Sequence, residues 1–292
     1  MHKSVALTLE LFIILSVLIS CSSNETSETT HGAILYVGGT GLGNYSSIQA
    51  AVNNATAGAT IFVYNGTYHE RLIVNKSLIL IGENKNSTII DGGGNGFVVT
   101  LAVDHVTVSG FTVTHSEKKF PFAGIYVSSN YNTISGNILT DNFYGMQLGY
   151  ATGYNLIINN TIFHNGRCGI YFNHSSNNRL EGNVVHDHPV NGFGLFEFSN
   201  NNSIMNNTLS ENRYSGVNIR ESYDNQVIGN TFIQDQNGLH KPSPEYHTVT
   251  RDNIFSNNIV SLEEERDAIA FTVVIFDILL VLAYLVFRKR FA

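Results

Sequence analysis

The chain has 292 residues, with 13% charged and 43% hydrophobic side chains and a net charge of −7. Its 16 Lys and Arg are scattered through an acidic chain, which argues against a phosphate-binding stripe and against nucleic acid as a partner. Two cysteines, Cys21 and Cys168, cannot build a disulfide framework.

Residues 1–20 read as a secretory signal peptide, with Lys3 near the start, an apolar run from Leu11 to Ile19 and a small-residue exit at Ser20. Leu18-Ile19-Ser20-Cys21 also resembles a lipoprotein processing box, which makes Cys21 a lipidation candidate; ordinary cleavage beside it is the alternative. Residues 21–31 are mainly Ser, Thr, Asn and Glu and are expected to be a disordered tether. The folded domain is expected over 32–262. It opens with a strand, Ala33–Val37, and a Gly-rich turn, Gly38–Gly43, which lacks the Lys-Ser/Thr ending of a phosphate loop.

One amphipathic helix follows. Ile48, Ala51, Val52 and Ala55 fall at helical spacing, Ser46 or Ser47 can cap the start, and Gly58 stops it. Such a helix suits the covering of an open core end. Strands Thr60–Val63, Leu72–Val74 and Leu78–Ile81 are expected to build the first coil. The early coils run to about 27 residues and carry insertions such as Glu117–Phe122.

From Tyr131 to Tyr246 one pattern recurs five times. Asn132, Asn155, Asn178, Asn202 and Asn225 form one column, with steps of 23, 23, 24 and 23 residues. Asn137, Asn160, Asn183, Asn207 and Asn230 form a second with the same steps. Each unit ends in Gly-apolar-x-apolar. The period inside a unit is two, and Asn and Gly interrupt it every few residues, so the elements are short strands. A unit this small cannot bury its own apolar face and must stack on copies of itself. The fold class is therefore all-β, a parallel β-helix solenoid. The Asn columns are expected to take left-handed corner conformations and to hydrogen-bond from coil to coil.

Residues 268–287 contain one ionisable side chain, Asp277, and read as a transmembrane helix. Arg288, Lys289 and Arg290 follow, so 288–292 is expected as a cytoplasmic tail of a single-pass membrane protein whose solenoid is extracellular. Ten N-x-[ST] sequons, at Asn24, Asn44, Asn54, Asn65, Asn75, Asn86, Asn159, Asn173, Asn201 and Asn206, agree with export and glycosylation.

Tyr36-Val37, Tyr45–Val52, Tyr64-Asn65-Gly66-Thr67-Tyr68, Leu78–Glu83 and Thr88–Gly93 resemble the opening of NosD-type proteins, and the resemblance covers about Ala33 to Ser261. It implies a right-handed parallel β-helix with carbohydrate-binding and sugar-hydrolase repeats, related in fold to pectate lyases. Its members include copper-site maturation factors, polysaccharide-active enzymes and surface proteins of archaeal type.

In the Gly-apolar-x-apolar strand the apolar positions are expected inward and the intervening ones outward. The outward row holds Tyr126, Gln147, Tyr171, Gly194, Asn218 and His240. With Arg167 nearby, Tyr126, Gln147, Tyr171 and Asn218 are the ligand-binding candidates, because aromatic and amide groups suit sugars. Four residues after the second Asn column stand Asp141, His164, Asp187, Glu211 and Gln234. With Arg213 and Arg220, the first four are the catalytic candidates for lyase, epimerase or hydrolase chemistry. His164, His186 and His188 are the metal candidates. No cofactor is required by the sequence, although Ca²⁺ or copper is conceivable at these corners. The Asn-Thr-Asp, paired-Asp, Gly-His-Gly and Arg-Ile-Lys motifs of polygalacturonase-like enzymes are missing, and so is the Asp-Pro-His segment of mannuronan epimerases. The leading expectation is a membrane-anchored protein that binds glycans or envelope proteins without turnover. The alternatives are a polysaccharide-active enzyme and a metal accessory protein.

Overall fold

The computed structural model describes residues 32–233, 239–240 and 253–261. The proposed signal peptide, Cys21, the tether, Gln234 and the 268–287 span lie outside the described residues. Among the described residues no helix is long and apolar enough to cross a membrane.

Each turn of the chain contributes one short strand to each of three parallel sheets, wound right-handed. Among the described residues the first sheet has ten strands, from Ile34–Val37 to Ile254–Ser256; the second has nine, from Gly66–His69 to Ile259–Ser261; the third has eight, from Leu72–Val74 to Leu239–His240. Register repeats without slippage. Ile134, Ile157, Leu180, Ile204 and Val227 stand above one another in the first sheet. Leu139, Ile162, Val185, Leu209 and Phe232 do so in the second, and Ile125, Met146, Ile170, Phe193 and Val217 in the third. All fifteen are fully buried. Each such apolar side chain contributes about 1.5–3 kcal/mol on leaving water, so the core is a set of straight hydrophobic columns.

The first coil differs from the expectation. Gly66–His69 is a strand of the second sheet, and Ile79–Gly82 opens the next coil. Gly66–His69 pairs with Thr88–Asp91, yet Tyr68 is its one buried residue, so no apolar alternation marked it as a strand.

The Asn columns also divide their labour differently. The left-handed residue is the one before the column: Tyr131, Tyr154, Asn177, Asn201 and Asp224 have φ between 54° and 61°. This frees the next Asn to turn inward, where it is buried. Its Oδ1 accepts the backbone N–H and, at every step but Asn202 to Asn225, also the Nδ2–H of the Asn in the preceding coil, as Asn155 does from Asn132 at 2.9 Å each. The chain of amides runs Asn132, Asn155, Asn178, Asn202, Asn225, Asn253, and a parallel one runs Asn137, Asn160, Asn183, Asn207, Asn230, Asn258. Corner backbone that would otherwise be buried and unpaired is thereby satisfied.

Glycine at the head of the third-sheet strands from Ala123 to Phe196 (Gly124, Gly145, Gly169 and Gly192) has a separate cause, close approach. A Cβ on Gly145 would lie 2.7 Å from the Gly169 carbonyl oxygen, and one on Gly169 would lie 2.7 Å from that of Gly192. The helix α1, Ile48–Asn54, buries Ile48, Ala51 and Val52 against the first strands. Two side chains of the first coil hold it. The Glu70 carboxylate accepts the Ile48 and Gln49 N–H groups at 2.8 and 2.9 Å, and Lys76 Nζ donates to the carbonyls of Val52, Asn53 and Ala55. Negative charge at the N-terminus and positive charge at the C-terminus both oppose the helix dipole.

Candidate functional site

The third sheet positions the site. In-register pairing sets Tyr126, Gln147, Tyr171, Gly194 and Asn218 in one row across five coils. The row is less open than the alternation predicts. Gln147 is only 4% exposed and Asn218 5%, although both stand at outward positions of the strand. Tyr126 leans across the coil so that a Cβ on Gly149 would lie 2.7 Å from its hydroxyl oxygen, and Phe196 lays its ring against Gly194. Gln147 Oε1 and Asn218 Oδ1 are buried without a hydrogen-bond partner.

At the strand heads a second apolar cluster, separate from the core, is built from Ala123, Tyr144 and Cys168 with Phe97, Phe143, Tyr171 and Val190. Tyr171 stacks on Tyr144 at 4.7 Å, and Tyr126 stacks on Phe97 at 4.3 Å. Burial, and then the Glu197 carboxylate, push the Tyr171 phenol above its ordinary pKa. Burial pushes the Cys168 thiol up to about 11, so Cys168 is an inert filler.

These elements leave a groove of about 360 Å³ lined by Phe120, Tyr144, Arg167, Tyr171, Phe196, Glu197, Arg220 and Glu221. Of the ligand candidates, Tyr171 and Arg167 line it and Tyr126, Gln147 and Asn218 stand in the row beside it. Arg220, expected as catalytic, is also in its wall. Phe120, Tyr144, Phe196, Glu197 and Glu221 are additions. Glu197 and Glu221 lie 24 residues apart, one repeat period, so their stacking was readable from spacing; Phe120 was hidden in an insertion.

The polar corner is a different place. Asp141, His164, Asp187 and Glu211 are the left-handed residues of the corner between the second and third sheets, with φ of 52–58°. None lines the groove. His186 Nδ1 lies 2.6 Å from Asp187 Oδ2 and His164 Nε2 3.7 Å from the same oxygen. The His186 hydrogen bond chiefly holds the Asp187 carboxyl below its ordinary value, against partial burial. Lys118 Nζ takes the Asp141 carbonyl, and the Arg213 N–H donates to the His188 carbonyl at 2.8 Å.

His188 does not join His164 and His186. It is 1% exposed and occupies an Asn position in a third amide column that the sequence reading missed: Asn142, Asn165, His188, Asn212. Asn165 Oδ1 accepts from the Asn142 N–H, so its Nδ2 donates to His188 Nε2 at 3.1 Å, and His188 Nδ1–H donates to Asn212 Oδ1 at 2.9 Å. Both ring nitrogens are therefore engaged and unavailable to a metal. Among the described residues no three His, Cys, Asp or Glu side chains come together so as to hold a metal ion.

The family described as periplasmic copper-binding protein (NosD) matches residues 52–271, and the chain belongs to it. The metal in that description finds no ligand set among the described residues. A stretch of 80 residues is 39% identical to a probable pectinesterase/pectinesterase inhibitor of Arabidopsis thaliana, covering 24% of this chain and only 14% of that protein. Among solved structures, pectin methylesterase from carrot has a TM-score of 0.54 at 13% identity, covering 81% of this chain and 85% of that one. Pectate lyase Pel9A has 0.54 at 19%, covering 83% and 79%. The catalytic domain of an α-1,3-glucanase in complex with nigerose has 0.58 at 15%, covering 83% and 47%. At these identities the likeness is one of fold.

Proposed function

We propose that this NosD-family chain is an exported, membrane-anchored β-helix that binds a glycan on the outer face of its third sheet. The observation that carries the reading is the groove, in which the rings of Tyr144, Tyr171 and Phe196 stand beside Arg167, Arg220, Glu197 and Glu221. Sugars offer an apolar ring face and a rim of hydroxyls; aromatic side chains receive the first and fixed charged or amide groups the second. The polar corner, which the groove excludes, then serves the solenoid surface. The anchor and the export signal rest on the sequence of residues 268–287 and 1–20, and we likewise assign α1 the role of covering the open end of the core.

Replacing Tyr171 by Ala removes the ring at the centre of the groove. Affinity for oligogalacturonates or α-1,3-glucan oligosaccharides, measured by calorimetry, is expected to fall at least about tenfold, or about 1.4 kcal/mol. Wild-type protein that binds neither series, nor any ligand on a glycan array, would refute the reading. A second reading, turnover of the bound polysaccharide, is favoured by the two stacked carboxylates Glu197 and Glu221 with Arg220 beside them. New reducing ends or unsaturated uronate on incubation with a bound glycan would select it.

A further inference from the structure

Two side chains on the third sheet are arranged against their own stability. A buried carbonyl oxygen without a partner loses its hydration and gains nothing, and native chains keep few such groups. Gln147 Oε1 and Asn218 Oδ1 are the two buried side-chain polar atoms left unpaired among the described residues. Every buried amide of the corner columns is bonded from coil to coil, so the chain has ready means of satisfying amides. Both exceptions fall in the same outward row, on either side of Tyr171 and Gly194. Chance placement does not account for a shared row beside the groove.

We propose that Gln147 and Asn218 are the specificity-determining hydrogen-bonding groups of the glycan site, two anchors at the ends of one bound chain. The inference rests on the reading of the groove as a glycan site and adds to it the ligand's direction, length and chemistry. Gln147 and Asn218 are three coil steps apart, about 14 Å at the spacing of paired strands. A ligand touching both runs along the solenoid axis, over Tyr171 and the side-chain-free Gly194. It carries hydrogen-bond donors, hydroxyl or amino groups, at both anchor points, because an unpaired carbonyl oxygen accepts and cannot serve a carboxylate. Uncharged oligosaccharides of three or more units meet these conditions, and a polyuronate whose carboxylates fall at the anchors does not. In the free protein both oxygens are closed to solvent, so binding has to displace the side chains that cover them, and a bound hydroxyl then supplies the missing donor.

The test uses the full-length protein and its Gln147→Leu and Asn218→Leu variants, with α-1,3-glucan oligosaccharides of two to six units and oligogalacturonates of the same lengths as probes. Leucine keeps the volume and removes the orphan oxygen, so each variant is expected to melt at or above the wild-type temperature while losing about tenfold in affinity for the longer neutral oligomers. Affinity is expected to rise steeply between two and four units in the wild type and to flatten in both variants. A lower melting temperature in either variant would assign the amides to structure and overturn the proposal without touching the glycan reading. So would unchanged affinity in both variants beside a loss in Tyr171→Ala. Stronger binding of oligogalacturonates than of neutral oligomers would overturn the chemistry assigned to the anchors. Binding of neither series, with Tyr171→Ala equally silent, would overturn both readings together.

Discussion

His188 is the residue at which an ordinary repeat position acquires a consequence of its own. Burial depresses its pKa from 6.5 to about 4, so the unfolded chain takes up the proton first. Stability is complete above about pH 6.5 and is lost as pH falls towards 4, in total by about 3 kcal/mol at about 1.4 kcal/mol per unit. Protonated Nε2 would also face the Asn165 Nδ2, donor against donor. Replacing His188 by Asn, the residue its column holds in other coils, is expected to keep the fold and remove this acid sensitivity; thermal melts at pH 7 and pH 4.5 read it, and parallel pH dependence in the two proteins would refute it. The neighbouring corner behaves differently. Asp187→Asn with Glu211→Gln is expected to leave oligosaccharide affinity unchanged and to shift stability by no more than about 1 kcal/mol, because Glu211 is exposed, Asp187 is only partly buried and neither lines the groove. A tenfold affinity loss in that double variant would return the corner to the site.

At the scale of the element, the strands obey close approach as much as hydrophobicity. Gly169→Ala sets a Cβ 2.7 Å from the Gly192 carbonyl oxygen and 2.6 Å from Val185 Cγ1. Backbone must move to admit it, so a loss of about 1–3 kcal/mol is expected by chemical denaturation; an unchanged midpoint would mean that the coils are looser than described. The period-two pattern and the two Asn columns made strands, register and the inward rows legible in the sequence. The third amide column was not legible, since His188 interrupts it and sits inside His186-Asp187-His188, where three adjacent polar residues resemble one loop. Gln147 and Asn218 were legible as outward, but their burial depends on how the side chains around them pack, which spacing does not encode. Nor does spacing reveal that Glu70 and Lys76, one coil on, hold both ends of α1.

For the whole molecule, each coil touches mainly the coils before and after it, so the chain is expected to survive losing one. Deleting Tyr154–Ser176 places Asn178 under Asn132 and Asn183 under Asn137, and both amide columns close again. The shortened protein is expected to unfold cooperatively, with a smaller radius of gyration by X-ray scattering, and to lose glycan affinity because Tyr171 goes with the coil. A molten far-ultraviolet spectrum without a transition would show that the coils are not interchangeable.

The amide columns have a direction. In each pair the earlier coil donates and the later one accepts, from the Val106 N–H on Asn132 through Asn225 on Asn253. A half-made solenoid therefore ends in a row of idle backbone donors that the next length of chain quiets, and most arriving column Asn residues capture both the backbone and the side-chain N–H of the Asn before them. Growth is vectorial, as in a zipper whose slider moves one way: a chain that leaves the ribosome or a membrane pore N-terminus first presents its coils in the order in which they can lock.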